Sequence, residues 1–374
     1  MKVTLIVPTM FVSDRGTSMR IQGQVEALVK KGFGVTILTY GVGRTPDNLS
    51  SQLFKIKRIP NVFPWLESIP SGFSLYKVVA DMALFFKVLV FLLGDSSRTI
   101  HAYLYEGVLI SWLATNFLFW REYKIIGDFH GSLTSEIKLK SRLGGYLLKK
   151  IESFVHAIPY KVSVSSFELG EYISKDRIDK SVFVFDVPLV ENGGRSEPKL
   201  SIPDDKTIVT YTGGFGSEKG IDVLCRLMVN LSDLDNLHWI IAGSPIENLK
   251  IPKEVDSKKY TIINPLSKEM LFRVLKVSDI GIDPKTKALQ GSGKLVNYLS
   301  FGLPTVTFSS KTINSYLREL SGELSASSVE DMEDILRSLI LNTERRKSIS
   351  VIALNRVENI SIKKLGDIIA ALYV

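Results

Sequence analysis

The sequence predicts an α/β fold made of two doubly wound, Rossmann-like domains. Short apolar segments that suit buried strands alternate with amphipathic helices along most of the 374 residues. A stretch rich in Pro, Gly and Asp at 188–206 interrupts this alternation and is typical of a linker. The strand–loop–helix pattern begins again at Thr207, so we predict one domain over 1–187 and a second over 188–357.

Composition limits the classes of function. Apolar residues make up 45% of the chain and the formal net charge is +8. The basic residues are spread out, which favours an anionic substrate or an anionic membrane surface over nucleic acid. Cys225 is the single cysteine, so the sequence excludes an internal disulfide and a cysteine metal site, and it points to a reducing, cytoplasmic compartment.

The first half begins with a predicted β–α–β unit. The apolar runs Val3–Val7 and Val35–Tyr40 are the strands, and an amphipathic helix lies between them. This order implies two parallel strands joined by a right-handed crossover. The dinucleotide fingerprint GxGxxG is absent, so Gly16 before the helix is only a weak phosphate signal.

The segment Leu75–Leu93 predicts a helix that is apolar almost all round. Such a helix suits burial against a sheet. The alternative is a peripheral membrane contact, possible on the inner membrane face, made by Met82–Leu93. The basic residues that would support this contact are Lys55, Lys57 and Arg58.

Polar side chains stand where two further strands end. Glu106 follows the predicted strand Thr99–Tyr103, and Asp128 and His130 close the strand that begins at Lys124. Ligands gather at the carboxyl ends of strands in doubly wound sheets. His130 precedes a glycine at such an end, so we interpret it as functional rather than structural. The histidines show no metal-ligand spacing, so no metal site is predicted.

Two loops in the second half can bind an anion. The first, Gly213–Gly220, lies between a strand and a helix and carries Lys219. The second, Gly291–Gly293, precedes a helix with Lys294 in its first turn. Free backbone N–H groups and a lysine at such a loop suit a diphosphate. An ordinary turn with a surface lysine is the alternative, although a cation at the positive end of a helix dipole needs a reason.

These motifs resemble those of the family-4 retaining glycosyltransferases, which have the GT-B fold. The family loop Gly-Arg-x(4)-Lys-Gly is matched by Gly213–Gly220. The motif Lys-Leu-x-Glu-Tyr-x-x-x-Gly-x-Pro is matched by Lys294–Pro304 at all named positions but one. Looser matches are Ile263–Leu266, Ser278–Pro284 and, in the first half, Asp128–Gly131.

The chain departs from the family pattern at three positions. Gly214 replaces the arginine of the loop. Asn297 replaces the glutamate that holds the donor ribose in the family, and Leu289 replaces an earlier glutamate near the transferred sugar. Asparagine can still bond to a hydroxyl, but without charge assistance. These losses leave open a degenerate, non-catalytic protein that binds a sugar nucleotide or a partner.

The resemblance implies that the domains face each other across a cleft and that the last helix, about 358–374, returns to the first domain. It implies a metal-independent hexosyltransferase without a cofactor. The donor would be a UDP- or GDP-linked sugar and the acceptor a glycan or a lipid-linked glycan, with retention, in surface polysaccharide or glycoconjugate synthesis. A nucleotide-sugar 2-epimerase is a further alternative.

The loops and the resemblance together give the candidate site. The predicted catalytic residues are His130, Lys219 and Lys294. The predicted donor-binding residues are Gly213, Gly214, Gly243, Asn264, Pro265, Leu266, Ser292, Gly293, Leu295 and Asn297. The predicted acceptor-side residues are Gly16, Arg20 and Glu106.

Overall fold

The computed structural model describes residues 1–13, 16–44, 52–61, 63, 74–137, 141–177, 181–189, 200, 202–203, 205–286 and 289–374. The chain forms two compact units. The first comprises Met1–Asp186, Leu289–Gly291 and Ile362–Val374, and the second comprises Val187–Ala288 and Ser292–Ser361. Residues 190–199 of the predicted linker lie outside the described residues.

A parallel sheet of seven strands forms the centre of the first unit, in the order β3-β2-β1-β4-β5-β6-β7. The strands are β1 (Lys2–Val7), β2 (Gly34–Thr39), β3 (Phe54–Arg58), β4 (Thr99–Tyr103), β5 (Lys124–Phe129), β6 (Lys161–Val164) and β7 (Val182–Phe183). The chain runs from β1 outward to β3 and returns to β4 on the other side of β1. The strand order therefore reverses between β1 and β4, where doubly wound sheets bind ligands.

Helices cover both faces of this sheet. They are α1 (Gly16–Lys30), α2 (Leu75–Gly94), α3 (Leu104–Phe117), α4 (Leu133–Glu136), α5 (Arg142–Ala157), α6 (Phe167–Ile173) and, from the end of the chain, α14 (Ile362–Ala370). Because crossovers between parallel strands are right-handed, α2, α3 and α5 lie on one face and α1 on the opposite face. Helix α14 packs beside α1, so closely that a Cβ on Gly366 would lie 3.2 Å from the carbonyl oxygen of Ala27.

The second unit repeats the plan with six parallel strands in the order β10-β9-β8-β11-β12-β13. The strands are β8 (Thr207–Gly214), β9 (Leu237–Ser244), β10 (Tyr260–Ile263), β11 (Ile280–Asp283), β12 (Thr305–Phe308) and β13 (Ser325–Ala326). The helices are α7 (Ile221–Asn230), α8 (Lys268–Val277), α9 (Gly293–Ser300), α10 (Lys311–Leu317), α11 (Ser321–Leu324), α12 (Val329–Leu341) and α13 (Thr343–Val357). The predicted fold class is confirmed by the two doubly wound sheets.

Serine residues form the N-caps of several of the longer helices. The hydroxyls of Ser74, Ser141, Ser267 and Ser328 each accept a bond from the backbone N–H three residues later. They begin α2, α5, α8 and α12, respectively. A serine at this position satisfies one of the backbone donors that a helix leaves unpaired at its start.

One predicted boundary is wrong at the candidate site. The sequence predicts a loop from Gly213, but β8 continues to Gly214 and β9 continues to Ser244. Gly213 stands opposite Gly243 in this extension. A Cβ on Gly243 would lie only 1.7 Å from the carbonyl oxygen of Gly213, so the two strand ends approach this closely because Gly243 has no side chain.

Helix α2 has one buried and one exposed apolar face. Ala80, Leu84, Val88 and Leu92 are fully buried against the sheet. The opposite face exposes large apolar side chains, among them Phe86 at 59%. The predicted burial against a sheet therefore holds for one face of the helix only. Within the described residues, no helix is long and apolar enough to cross a membrane.

A buried histidine ties the end of the chain to the first sheet. His101 on β4 shares a hydrogen bond of 2.6 Å between its Nδ1 and the Oη of Tyr373. Its ring stacks on Tyr103 with a centroid distance of 4.7 Å. Burial lowers the pKa of His101 to about 4, and the opposing effect of nearby Asp128 is too small to restore it. The native protein therefore keeps this ring neutral at neutral pH.

This arrangement predicts a pH-dependent stability. Between pH 6.5 and about 4 the unfolded chain binds a proton at His101 that the native protein does not bind. The stabilisation is therefore complete above pH 6.5 and decreases as the pH falls toward 4, by about 3 kcal/mol for a shift of this size. Urea unfolding of the His101→Phe/Tyr373→Phe variant should show a smaller loss of unfolding free energy between pH 7 and pH 4.

Tyr373→Phe alone is the matched control. It removes the hydroxyl but retains the buried imidazole, so its pH dependence should follow that of the wild type. An unchanged pH dependence in the double variant would contradict the assignment to His101.

Candidate active site

A buried ion pair of the second unit lies where β8, β11 and α9 meet. Lys294, in the first turn of α9, places its Nζ 3.2 Å from Oδ1 of Asp283, the last residue of β11. The same Nζ lies 4.2 Å from the ring centre of Tyr211, in a cation–π contact. We call Lys294, Asp283, Ser292, Tyr211 and Gly213 the Lys294 cluster.

Asp283 is held from two sides. Its side chain is 1% exposed, and its Oδ2 accepts a 2.7 Å hydrogen bond from the hydroxyl of Ser292. Burial favours the neutral carboxyl, but the Lys294 ammonium, Lys285 and the Ser292 bond outweigh it and hold the pKa of Asp283 below its usual value. This carboxylate therefore stays charged at neutral pH and fixes the position of the lysine.

Lys294 also stays charged. Burial disfavours the ammonium, but Asp283 and the two nearby tyrosines outweigh this effect and raise the pKa of Lys294 above its usual value. Apart from the ion pair with Asp283, its buried Nζ has no hydrogen-bond partner among the described residues. An ammonium carries three donors. This one therefore has donors left for an anionic ligand.

The glycine pair at the end of β8 lies against both predicted lysines. A Cβ on Gly213 would lie 3.4 Å from the Nζ of Lys294, and one on Gly214 would lie 3.7 Å from the Cγ of Lys219. Gly213 also has a φ of +136°, a conformation that residues with a side chain rarely adopt. The structure therefore brings together the predicted glycine loop and both predicted lysines.

Gly220 closes the same loop. It has a φ of +82°, and a Cβ there would lie 2.1 Å from the carbonyl oxygen of Pro284. Only glycine fits this position without moving the backbone. The loop is thereby pinned to the residue that follows Asp283, which keeps Lys219 on the same edge of the sheet as the Lys294 cluster.

Three residues predicted to bind the donor have structural roles in the second unit. Leu295 is fully buried, so only its backbone can face a ligand. The Ser292 hydroxyl is committed to Asp283. The Oδ1 of Asn297 accepts a 3.0 Å bond from the backbone N–H of Leu189, which leaves its amide NH₂ as the group for a ribose hydroxyl. Asn297 thus supports the chain that precedes β8.

The remaining predicted donor-binding residues mark the carboxyl edge of the second sheet. Gly243 is buried at the end of β9. Asn264 and Pro265 are exposed after β10, and Leu266 is half-buried. Gly293 begins α9. Strand β9 separates β10 from β8, so these residues follow neighbouring strands of one parallel sheet.

In the first unit, His130 follows β5 with an almost buried ring. The ring is 10% exposed, and its Nε2 lies 3.5 Å from the Oδ2 of Asp128, which is too long for a hydrogen bond. Neither ring nitrogen has a hydrogen-bond partner among the described residues. A buried imidazole with both nitrogens unpartnered is costly, so His130 is a candidate to contact a ligand.

Arg20, predicted to lie on the acceptor side, is bonded to other residues of the first unit. Its Nη1 donates to Asp186 at 2.7 Å, and its Nη2 donates to the carbonyl of Val184 at 2.8 Å. It also lies 3.7 Å from Asp128. Although burial favours the neutral form, Arg20 and His130 hold the pKa of Asp128 well below its usual value. The guanidinium is therefore bonded within the unit, and it helps to keep charged the Asp128 carboxylate that lies beside His130.

Glu106 and Gly16 lie in different surroundings. Glu106 stands in the first turn of α3 and forms an ion pair with Lys77 of α2. Nearby, the Tyr40 hydroxyl donates to Asp81 at 2.5 Å, and burial, with Glu106 adding to it, raises the pKa of Asp81 to about 7. Gly16 begins α1 with no atom within 4 Å of an added Cβ, so the backbone there is open.

The sequence did not single out Asp283 or Tyr211 as site residues. Asp283 was part of the strand motif, and a carboxylate at the end of an apolar strand was the signal that could have marked it. Tyr211 gave no signal, because a tyrosine in a buried strand is ordinary.

Residues 194–356 match the family model described as glycosyl transferases group 1. Over this segment the chain is similar to the group 1 glycosyl transferases. The segment contains the whole Lys294 cluster as well as Lys219. No curated protein sequence matches the chain.

Solved structures extend the likeness over the whole chain, and three of those found cover 100% of it. Sucrose-phosphate synthase from Thermosynechococcus elongatus is 14% identical, with a TM-score of 0.75 over 98% of that chain. HepE from Anabaena, in complex with UDP, is 11% identical, with a TM-score of 0.69 over 99%. The catalytic domain of starch synthase IV from Arabidopsis thaliana, bound to ADP and acarbose, is 10% identical, with a TM-score of 0.73 over 98%.

At these identities the structural likeness establishes the fold alone. The resemblance to GT-B glycosyltransferases predicted from the motifs is confirmed by the family match and by these structures together. The matched segment thus has two lysines beside the glycine pair at the end of β8.

The buried pair predicts a strong stability effect. Lys294→Ala should lower the free energy of unfolding by about 3 kcal/mol, because it leaves the Asp283 carboxylate buried without its counter-charge. The variant Asp283→Asn/Lys294→Gln, which removes both charges, should lose less. Chemical denaturation of the two variants measures the difference.

Lys276→Ala, which changes an exposed lysine on α8, controls for the loss of a positive charge. If the two cluster variants were equally unstable, the pair would not be coupled. A loss of activity in Lys294→Ala alone does not separate catalysis from folding.

Proposed function

We propose that the protein transfers a hexose from a nucleotide diphosphate sugar, UDP- or GDP-linked, to a glycan or lipid-linked acceptor with retention. One observation supports this proposal above the others. The charged ammonium of Lys294 has hydrogen-bond donors without a partner among the described residues, and it lies beside the glycine pair that also contacts Lys219, within the segment that is similar to group 1 glycosyl transferases. HepE and starch synthase IV, which share the fold, were solved with UDP and ADP. A nucleoside diphosphate is a ligand that this cationic edge suits.

The chemistry needs stabilisation of a leaving group. The bond from the anomeric carbon to the diphosphate breaks, the acceptor oxygen forms the new bond, and its proton passes to the departing diphosphate. Negative charge therefore grows on the diphosphate. Lys294 is already held in place by Asp283, so its ammonium can stabilise this charge without reorganising. Lys219 and the backbone N–H groups at the start of α9 can stabilise the same charge.

The first unit contributes His130 in this proposal. Its two unpartnered ring nitrogens can bond to a sugar or acceptor hydroxyl. Asp128 lies beside the ring, and the guanidinium of Arg20 helps to keep Asp128 charged. A front-face displacement fits the absence of a carboxylate nucleophile among the proposed residues. Since lysines neutralise the leaving group, the reaction should not need a metal ion.

A second candidate is a non-catalytic protein that binds a sugar nucleotide or a partner. Two observations support it. Asn297 stands where the family has its ribose-binding glutamate, and its Oδ1 is already taken by Leu189. Leu289 stands where the family has a second glutamate. A nucleotide-sugar 2-epimerase is the remaining alternative.

We further propose that the protein works in a reducing, cytoplasmic compartment, because its single cysteine excludes an internal disulfide.

A donor screen tests the proposed function. The protein should be stabilised against heat by one series of UDP- or GDP-linked hexoses, and it should release the nucleoside diphosphate when an acceptor is present. Lys219→Ala should reduce that release by about 10²–10³ because it removes one preorganised cation from the leaving group. Chelation of divalent ions should leave the rate unchanged.

Lys253→Ala, an exposed lysine of the same unit, is the matched control and should keep wild-type turnover. Stabilisation by a donor without any turnover would favour the non-catalytic protein. Formation of an epimerised sugar without an acceptor would favour the epimerase. Equal turnover in Lys219→Ala and Lys253→Ala would contradict the role of Lys219.

A further inference from the structure

The three helices on one face of the first sheet leave a broad apolar surface uncovered. Helices α2, α3 and α5 lie side by side on that face, so the side chains that point away from the sheet share one surface. The exposed apolar side chains on these helices and on the turn after α3 are Leu75, Tyr76, Val79, Met82, Phe86, Val90, Leu93, Leu113, Phe117, Phe119, Trp120, Leu143, Tyr146, Leu147, Ile151 and Phe154. We call them the helix-layer surface.

In helix α5 the polar side chains lie on the buried face and the apolar side chains on the exposed face. Its inward face carries Glu152 and His156 beside Val155, and all three are buried. The polar pair is satisfied there, since Glu152 accepts bonds from the hydroxyls of Tyr105 and Tyr172, among others. A helix normally buries its apolar stripe. Here the stripe that runs from Leu143 to Phe154 faces outward instead.

The half-buried rings of Phe85 and Trp112 join exposed residues of neighbouring helices. The rings of Phe85 on α2 and Phe117 on α3 lie 5.9 Å apart, and those of Trp112 on α3 and Phe154 on α5 lie 5.2 Å apart. Phe119 and Trp120, in the turn that follows α3, are 82% and 62% exposed. Monomeric proteins rarely expose an apolar patch of this extent without a use for it.

The exposed charged side chains on these three helices are all basic. Arg142, Lys149 and Lys150 are exposed on α5, and Lys87 is partly exposed on α2. The structure describes every residue of α2, α3 and α5, and these three helices expose no acidic side chain. The ammonium of Lys150 lies 5.6 Å from the ring centre of Tyr146, so cation and apolar stripe are interleaved.

From these observations we propose that the helix-layer surface docks on an anionic lipid membrane, with α2 and α5 lying in the plane of the interface. Apolar side chains enter the boundary between headgroups and acyl chains, while Lys and Arg remain at the anionic headgroups. Exposed Trp and Tyr suit the same depth, because their rings are apolar and their polar atoms stay in contact with water.

Self-association fits the charges less well. A two-fold dimer brings the same patch of both copies together. The cations of α5 would then approach the cations of the second copy, whereas an anionic lipid surface complements them. The docking does not depend on transfer activity, so it can be tested without a sugar donor.

Vesicle co-sedimentation tests the proposal. The wild type should bind vesicles of phosphatidylglycerol and phosphatidylethanolamine, bind phosphatidylcholine vesicles more weakly, and lose affinity as salt is raised. Phe86→Asp/Ile151→Asp should reduce the partition coefficient by more than about tenfold, because two inserted apolar side chains are lost. Lys149→Ala/Lys150→Ala should reduce it by about fivefold for each cation removed.

Matched controls lie in the second unit. Val351 and Leu354 are 61% and 47% exposed, close to Phe86 at 59% and Ile151 at 49%, so Val351→Asp/Leu354→Asp controls for added charge on an exposed helix. Lys250→Ala/Lys253→Ala controls for lost cations. Both controls should bind vesicles like the wild type, and thermal melting checks that every variant folds.

Two results would overturn the proposal. One is a wild type that does not bind the anionic vesicles, or that binds them equally well when the helix-layer residues are changed. The other is a stable dimer in sedimentation experiments that only the helix-layer variants dissociate, without any effect on vesicle binding. Loss of donor turnover with vesicle binding intact would count against the proposed function and leave the docking standing.

Discussion

The buried ion pair between Lys294 and Asp283 is the constraint on which the candidate site depends. A lysine at the start of a helix opposes the helix dipole, and a carboxylate that is 1% exposed is costly by itself. Each makes the other tolerable. The Ser292 hydroxyl holds the second carboxylate oxygen, so the pair fixes both the start of α9 and the end of β11.

The glycines near this pair follow from the same constraint. Gly213 leaves room for the lysine ammonium, Gly220 passes against the carbonyl of Pro284, and Gly243 allows β8 and β9 to converge. A side chain at Gly220 or Gly243 would collide with a backbone carbonyl oxygen, at 2.1 Å and 1.7 Å respectively. The second unit thus obtains a rigid cationic edge at the carboxyl ends of its strands, which is where a doubly wound sheet binds its ligand.

The first unit distributes its polar groups in another way. Arg20, Asp128 and Asp186 satisfy one another in its interior, whereas the ring nitrogens of His130 have no partner among the described residues. In the same unit, α5 has its hydrogen-bonded polar residues on the buried face and its apolar stripe on the exposed face.

The sequence by itself determined the fold class and predicted two glycine loops that each carry a lysine, because strand and helix periods and glycine positions are local signals. Its family resemblance also identified the missing glutamates at Leu289 and Asn297. Only the tertiary structure decided that Asp283 fixes Lys294, that Asn297 bonds to Leu189, and that Arg20 is engaged inside its unit. It also decided which apolar faces are exposed, since an apolar stripe looks the same in the sequence whether it is buried or not. Such contacts join residues far apart in the chain, and no local pattern records them.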